Sequence, residues 1–523
     1  MRYQSLYEQV TLPAPLADVF AVFADWPQPV WLDSSLHHSH LGRYSYLAAD
    51  PFVTLAAKNG ALSVCDRRRR SGQMLDYTAA GDPFAVLQNL LRQYRTEPVP
   101  GLPPFQGGAV GYFAYDLCHH TELLPRTTTD DLTLPDLRVG LYAWTIAHDH
   151  LQGQTWLIVN PLDGDEREAE ELLRRLCQKI AASPETACRA GARPLPPGDL
   201  SSHRPPGERA RVRGKAAGED TCPHPNHLPG RERELGRPLA TDQQERTSAA
   251  ELVCNFTRDD YLRAVAAAKE YIAKGDIYQV CLSQRFSVRT DEPPLRFYRR
   301  LREISPVSYG AYLAFPEVTV VSASPELFLR LEGRRVETRP IKGTRPRGTT
   351  PERDEQLVAD LVHSVKDRAE NVMIVDLLRN DIGRVCRVGS VQVPDLFRVE
   401  SYSTVHHLVS TVTGELRPGL DAADLLRACF PGGSVTGCPK IRSMEIIDEL
   451  EPTQRSVYCG SIGFLSFAGD MDTSIVIRTA LVKGHQAYFQ VGGAILADSD
   501  PAAEYQETLD KARALLLALG QEP

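Results

Sequence analysis

The sequence predicts an α+β protein built largely on antiparallel strands, and two observations carry that expectation. Over residues 1–181, short strand-like runs alternate with amphipathic helical segments. A chain of 523 residues, 42% of them apolar, can also bury a large core, with length for about two to four domains.

In the first region the strand-like runs are Val53 to Ala57, Ala61 to Cys65, Val139 to Ile146 and Thr155 to Val159, with helices expected over Pro83 to Tyr94 and Arg167 to Ile180. Arg67 to Arg70, followed by Ser71-Gly72, reads as an exposed hairpin turn. Gly107, Gly108 and Gly111 suit close backbone packing; no Gly-Lys-Ser/Thr follows, which argues against a phosphate loop. Residues 182–250 hold ten prolines, seven glycines and no Phe, Trp or Tyr, too little apolar surface to offset the entropy of ordering. They are expected to be a disordered insertion or linker between an N-terminal region, 1–181, and a second region, 251–523. Cys222, His224 and His227 within it lack the fourth ligand of a zinc finger.

Beyond it, Thr257 is placed to cap a helix that runs to Lys274 and ends at Gly275. A strand over Ile277 to Phe286, a helix over Leu295 to Glu303 and strand-like runs at Val318 to Ser322 and Arg334 to Thr338 follow. Next come a long helix expected from Pro351 to Asn380, a glycine-rich turn at Pro431 to Lys440, a helix to Leu450, a strand over Ser474 to Thr479 and a closing helix from Pro501 to Leu519.

A net charge of −8 argues against a general nucleic-acid or membrane-surface binder but leaves room for local anion pockets. Eleven scattered cysteines point to reduced thiols. Glu8 and Asp18 interrupt any signal-peptide core, and no apolar run approaches the roughly 18 residues of a membrane span, so a cytoplasmic location is expected.

The residues with chemical potential are these. Lys342 lies among Arg339, Arg345 and Arg347. Neighbouring cations and desolvation would lower its pKa and make it a nucleophile; a solvated or anion-binding loop fits the composition as well. Glu370 sits in a helical run, and Glu504 and Glu507 share one face of the last helix. Two such carboxylates suit a hard cation, and solvated glutamates are the alternative. The Pro431 to Lys440 turn opens a helix, where backbone amides attract anions, although a plain tight turn also accounts for its glycines. Arg478, amid Ile475, Val476 and Ile477, suits either a carboxylate fork or surface alternation.

Taken together, Ile277-Tyr-Gln-Val-Cys-Leu-Ser-Gln-Arg-Phe286, Ser324-Pro-Glu326, Arg339-Pro-Ile-Lys-Gly-Thr-Arg-Pro-Arg-Gly348, Lys366-Asp-Arg-Ala-Glu370, His406-His407, Gly432 to Glu449 and Asp472 to Thr479 resemble the chorismate-utilising enzymes. That family includes the anthranilate, aminodeoxychorismate, isochorismate and salicylate synthases. The resemblance is strongest over Phe256 to Leu519 and looser before residue 182, through Leu32-Asp-Ser34 and Gly42 to Ser45. It implies the family fold: two large, mostly antiparallel sheets packed as a sandwich with helices outside. Lysine at 342, where the anthranilate branch has alanine, and Gln279, where water-adding members have a lysine base, are similar to the aminodeoxychorismate branch. Tyr458 is the anthranilate-type choice and makes that branch the alternative.

The resemblance further implies that an amino group replaces the C4 hydroxyl of chorismate. Lys342 would attack C2, Glu326 would act as general acid, and Mg2+ would be held by Glu370 and Glu507. Gly343, Thr344, His407, Thr436, Tyr458, Arg478, Gly492, Gly493 and Ala494 match substrate-contacting positions. A separate glutamine amidotransferase subunit would supply ammonia. Ser34 with Ser308, Tyr309 and Gly310 aligns with the family's tryptophan pocket, departing from its usual Pro-Tyr-Met, and is expected to be a structural or vestigial pocket.

Overall fold

A computed structural model describes residues 3–36, 41–68, 75–182, 251–402 and 405–521. Within them two twelve-stranded sheets form in which every pairing is antiparallel, and Tyr3–Gln4 pairs separately, in parallel, with Thr96–Glu97. Residues from both sides of 182–250 contribute strands to both sheets. Gly108–Phe113 lies between Ser461–Ser466 and Leu137–Tyr142 in one; Tyr309–Ala314 lies between Thr319–Ser324 and Val30–Asp33 in the other. The expected insertion lies, past Ala182, outside the described residues, as do Cys222, His224, His227 and positions 69–74 of the basic turn.

The sheets face each other across a core where Val30, Tyr46, Ala147 and Trp156 of one meet Val110, Tyr112, Ile462 and Phe464 of the other. Helices cover the outer faces. Pro83–Gln93, Val365–Gly383 and Ala422–Cys429 pack on one sheet, and Glu166–Ala181, Pro294–Ile304 and Pro501–Ala518 on the other. The fold is the expected α+β sandwich with helices outside. Close strand packing requires glycine at Gly111, where an added Cβ would lie 2.0 Å from the Arg138 carbonyl oxygen. Local signals hold where chemistry is local. Thr257 caps Arg258–Lys274 by accepting from the Asp260 N–H, and Gly275 ends that helix at φ 83°.

Three expected elements differ. The run expected over Val139 to Ile146 is two strands, Leu137–Tyr142 in one sheet and Trp144–Asp149 in the other, with the crossing at Ala143. Both strands are buried almost throughout, so the apolar run has no break in it. The helix expected over Pro351 to Asn380 is divided into Pro351–His363 and Val365–Gly383 by Ser364, whose side chain caps the second by accepting from the Asp367 N–H. The strand expected over Ser474 to Thr479 is interrupted: Met471–Ile475 and Thr479–Lys483 belong to different sheets, and Arg478 between them has φ 51°. Among the described residues nine cysteines are free, and no helix is long and apolar enough to cross a membrane.

Candidate functional site

Lys342 lies on Ile341–Pro346, the edge strand of its sheet, paired with Val405–Glu415. The register slips between Ile341 and Thr344, and Gly343 occupies the irregularity at φ 91°. A side chain there would also strike the next layer, because its Cβ would come 2.9 Å from Leu361 and 3.1 Å from Asp367. Thr344 Oγ1 stands 2.9 Å from His407 Nδ1.

Each cation of the loop is paired with an acid, although Arg347 stays exposed. Lys342 Nζ donates to Glu370 Oε1 at 2.7 Å, Arg345 pairs with Asp367 at 2.8 Å, Arg347 with Asp354 at 2.8 Å, and Arg339 with buried Glu400. The expectation of a lowered lysine pKa is therefore corrected. Burial does favour the neutral amine, but the Glu370 carboxylate outweighs it, helped by Cys281 and Glu326, and the ammonium is held above its ordinary value.

Glu326 follows the Thr319–Ser324 strand and is 5% exposed. Burial pushes its carboxyl up to about 7, against the Ser434 hydroxyl, the Lys342 charge and the Ile341 N–H, which favour the ionised form. Ser434 belongs to the glycine-rich turn, which is tied down rather than open. Lys440 Nζ bonds Asp381 at 2.6 Å and the Cys429 and Pro431 carbonyls at 3.0 and 2.9 Å. The Thr436 hydroxyl donates back to the Gly432 carbonyl at 3.1 Å, so it is engaged within its own turn.

Arg478 is the opposite case: among the described residues its guanidinium has no hydrogen bond or ion pair, and burial lowers its pKa. Its own carbonyl accepts from Ala323 N–H, three residues before Glu326. Burial, together with Arg478 and His406, pushes His407 down to about 4, so the imidazole beside Thr344 is neutral. The Tyr458 phenol, raised well above its ordinary value by burial, packs against the Arg455 guanidinium. Gly492, Gly493 and Ala494 pair with Ser283, Leu282 and Cys281.

Gly493 leaves room for carboxylates: a Cβ there would lie 3.1 Å from Glu504 Oε2 and 3.4 Å from Glu507 Oε1. Ser499 donates to Glu504 Oε1 at 2.6 Å, whereas Glu504 Oε2 is buried without a partner among the described residues. Lys366, one turn before Glu370, pairs with Asp498 and acts on Glu504, which brings the two helix starts together. Among the described residues no cluster of three or more His, Cys, Asp or Glu is arranged around a metal. Magnesium needs only one or two protein carboxylates plus water and substrate oxygens, and an orphaned buried carboxylate oxygen beside Glu507 fits that donor set. Glu504 joins Glu370 and Glu507 as a candidate ligand.

Ser34, Ser308, Tyr309 and Gly310 line a different cavity, of about 470 Å³, bounded also by Arg43, Arg330 and Asp472. Lys342 and Glu326 do not line it. The Ser34 hydroxyl donates to the Ser308 carbonyl at 2.9 Å, and Arg330 donates to the Tyr309 hydroxyl at 3.0 Å.

Motif reasoning passed over Cys281, Ser434 and Asp367. Cys281 lies two residues from Gln279 on one face of the Gln279–Arg289 strand, and its thiol and Lys342 act on each other. That period of two was a signal for it; nothing in the sequence pairs Ser434 with Glu326 or Asp367 with Arg345.

Comparison with known proteins gives a consistent result. The family described as chorismate binding enzyme matches residues 36–517. Aminodeoxychorismate synthase component 1 of Salmonella typhimurium is 40% identical over 91% of this chain and 89% of that protein. Anthranilate synthase component 1 of Aquifex aeolicus is 35% identical over 94% of this chain and 89% of that one. The crystal structure of anthranilate synthase component I from Streptococcus pneumoniae superposes with a TM-score of 0.69 at 31% identity, covering 92% of this chain and 93% of that one.

Proposed function

Because the chain belongs to the chorismate-binding enzyme family, we propose that it acts as an aminodeoxychorismate synthase component 1. It replaces the C4 hydroxyl of chorismate with an amino group and makes 4-amino-4-deoxychorismate for p-aminobenzoate and folate. One observation carries the reading: a largely buried lysine amine, beside a carboxyl group that burial pushes up to about 7, stands where the resemblance puts alanine in the anthranilate branch.

Catalysis starts when Glu370 turns away from Lys342; burial then favours the neutral amine, and the ammonium gives its proton to solvent. The Lys342 nitrogen bonds to C2, both ring double bonds shift in conjugation toward C4, and the C4 oxygen leaves as water with the proton of Glu326. The proton shed by the new C–N bond returns to Glu326. Ammonia then bonds to C4, both ring double bonds shift back and the C2–Nζ bond breaks. One ammonia proton ends on the lysine nitrogen, so the net change is chorismate plus ammonia to aminodeoxychorismate plus water. Magnesium held by Glu370 and Glu507 would neutralise the ring carboxylate. Arg478, whose guanidinium has no partner among the described residues, forks onto the enolpyruvyl carboxylate, with Tyr458 and the Gly492 to Ala494 backbone beside it. His407 and Thr344 line the ring side, next to Gly343. Ammonia comes from glutamine through a separate glutaminase partner.

Tyr458 favours a second reading, anthranilate formation. Incubating the purified protein with chorismate, magnesium and an ammonium salt separates the two: the expected product keeps its enolpyruvyl group, and anthranilate with pyruvate as main products overturns the assignment.

A further inference from the structure

Two ion pairs tie the Ile341–Pro346 strand to the Val365–Gly383 helix: Lys342 with Glu370 at 2.7 Å and Arg345 with Asp367 at 2.8 Å. The partners are three residues apart on each element and run in opposite directions. On a helix three residues rise about 4.5 Å and keep one face, so the two pairs form adjacent rungs. The first rung does not survive the proposed reaction, because the Lys342 nitrogen must bond to carbon and the Glu370 carboxylate must be released to its other role.

We propose that Arg345 and Asp367 are positioning residues whose ion pair holds the lysine strand on this helix while Lys342 and Glu370 are apart. This rests on the nucleophile role given to Lys342 above.

The sheet does little to hold the strand at that point. Ile341–Pro346 lies at the sheet edge, with Val405–Glu415 as its neighbour, and the register slips between Ile341 and Thr344, leaving Lys342 and Gly343 outside the regular ladder. The helix is the closer support, since Gly343 packs its backbone against the Asp367 side chain. Asp367 is itself well seated: it lies in the first turn of its helix, and its N–H donates to the Ser364 cap at 3.2 Å. A carboxylate there also complements the positive end of the helix. Arg345 steadies its own guanidinium by donating to the Thr344 carbonyl at 3.0 Å. The other two arginines of the loop reach elsewhere, Arg339 to Glu400 on the Gln392–Ser401 strand and Arg347 to Asp354 on the Pro351–His363 helix. Among the described residues Arg345 is thus the arginine of this loop that answers to the helix carrying Glu370.

The test uses the full chain with chorismate, magnesium and ammonium, and compares Arg345→Met, Asp367→Asn and the exchanged double variant Arg345→Asp/Asp367→Arg. A displacement of the nucleophile by about 1 Å costs on the order of a hundredfold, so kcat of each single variant should fall by that order. Chorismate KM should stay within about threefold of wild type, because the substrate-binding groups are untouched. The melting temperature should not move, since Arg345 retains 30% of its side-chain exposure and such pairs add little to global stability. The exchanged double variant should recover about tenfold of the lost kcat. Mass spectrometry during turnover should show less substrate adduct on Lys342 in the single variants. If the wild type makes aminodeoxychorismate and the single variants match its kcat, or lose kcat only in step with melting temperature and without rescue by the exchange, the proposal is overturned. Anthranilate as the wild-type product overturns the function itself and this role with it.

Discussion

Replacing Glu326 with glutamine probes the general acid through stability as well as turnover. Glu326 is 5% exposed, and burial moves its carboxyl from an ordinary 4.5 to about 7. A folded-state value above the unfolded one means that the folded protein binds this proton more tightly. The associated stability is therefore fully present below pH 4.5 and is lost as the pH rises through about 7. A shift of that size, at about 1.4 kcal/mol per unit, corresponds to a loss on the order of 3 kcal/mol. Dividing by an unfolding entropy of roughly 2 cal/mol/K per residue for the folded body gives a melting-temperature effect on the order of 3 °C. Glutamine does not titrate. The melting temperature of Glu326→Gln minus that of wild type, measured without substrate or magnesium, should thus rise by about 3 °C between acidic and mildly alkaline buffer. In the same variant, ammonia-dependent kcat at neutral pH should fall by about two to four orders of magnitude, the contribution of a positioned acid. A melting-temperature difference that stays flat with pH, or turnover that survives, would refute the reasoning.

Arg478→Met removes a guanidinium that has no partner among the described residues, so kcat/KM for chorismate should drop by about tenfold to a hundredfold while the melting temperature does not decrease. Steady-state kinetics beside a thermal melt decides it, and a destabilised variant would show that the arginine has a structural partner instead. Lys342→Ala should abolish the covalent adduct seen by mass spectrometry and shift the product toward anthranilate; an adduct that persists on the variant rejects the nucleophile assignment. Gly493→Ala would press a methyl group toward Glu504 and Glu507, so the magnesium needed for half-maximal turnover should rise by about tenfold. An unchanged magnesium titration would remove those two carboxylates from the metal site.

The sequence by itself determined what depends on neighbours along the chain. Thr257 and Gly275 bound a helix because capping and a left-handed terminus are local chemistry, and both stand where expected. The strand-like run over Val53 to Ala57 is found as the strand Val53–Lys58 for the same reason. The motifs also pointed to the right family before any geometry was known. What only the tertiary structure decided is everything set by partners far away in the chain. A continuous apolar run over Val139 to Ile146 reads the same whether or not the chain changes sheets at Ala143, and one serine cap suffices to split a helix at Ser364. Arg478 looks like a strand residue until its turn conformation appears. The charge state of Lys342 shows the limit most clearly. Sequence neighbours supplied three cations, which argue for a lowered pKa, yet each of those cations is bound to an acid on another element and Glu370 reaches the lysine itself. Electrostatic energy falls with distance through space and with local dielectric, and neither quantity is written in the order of the residues.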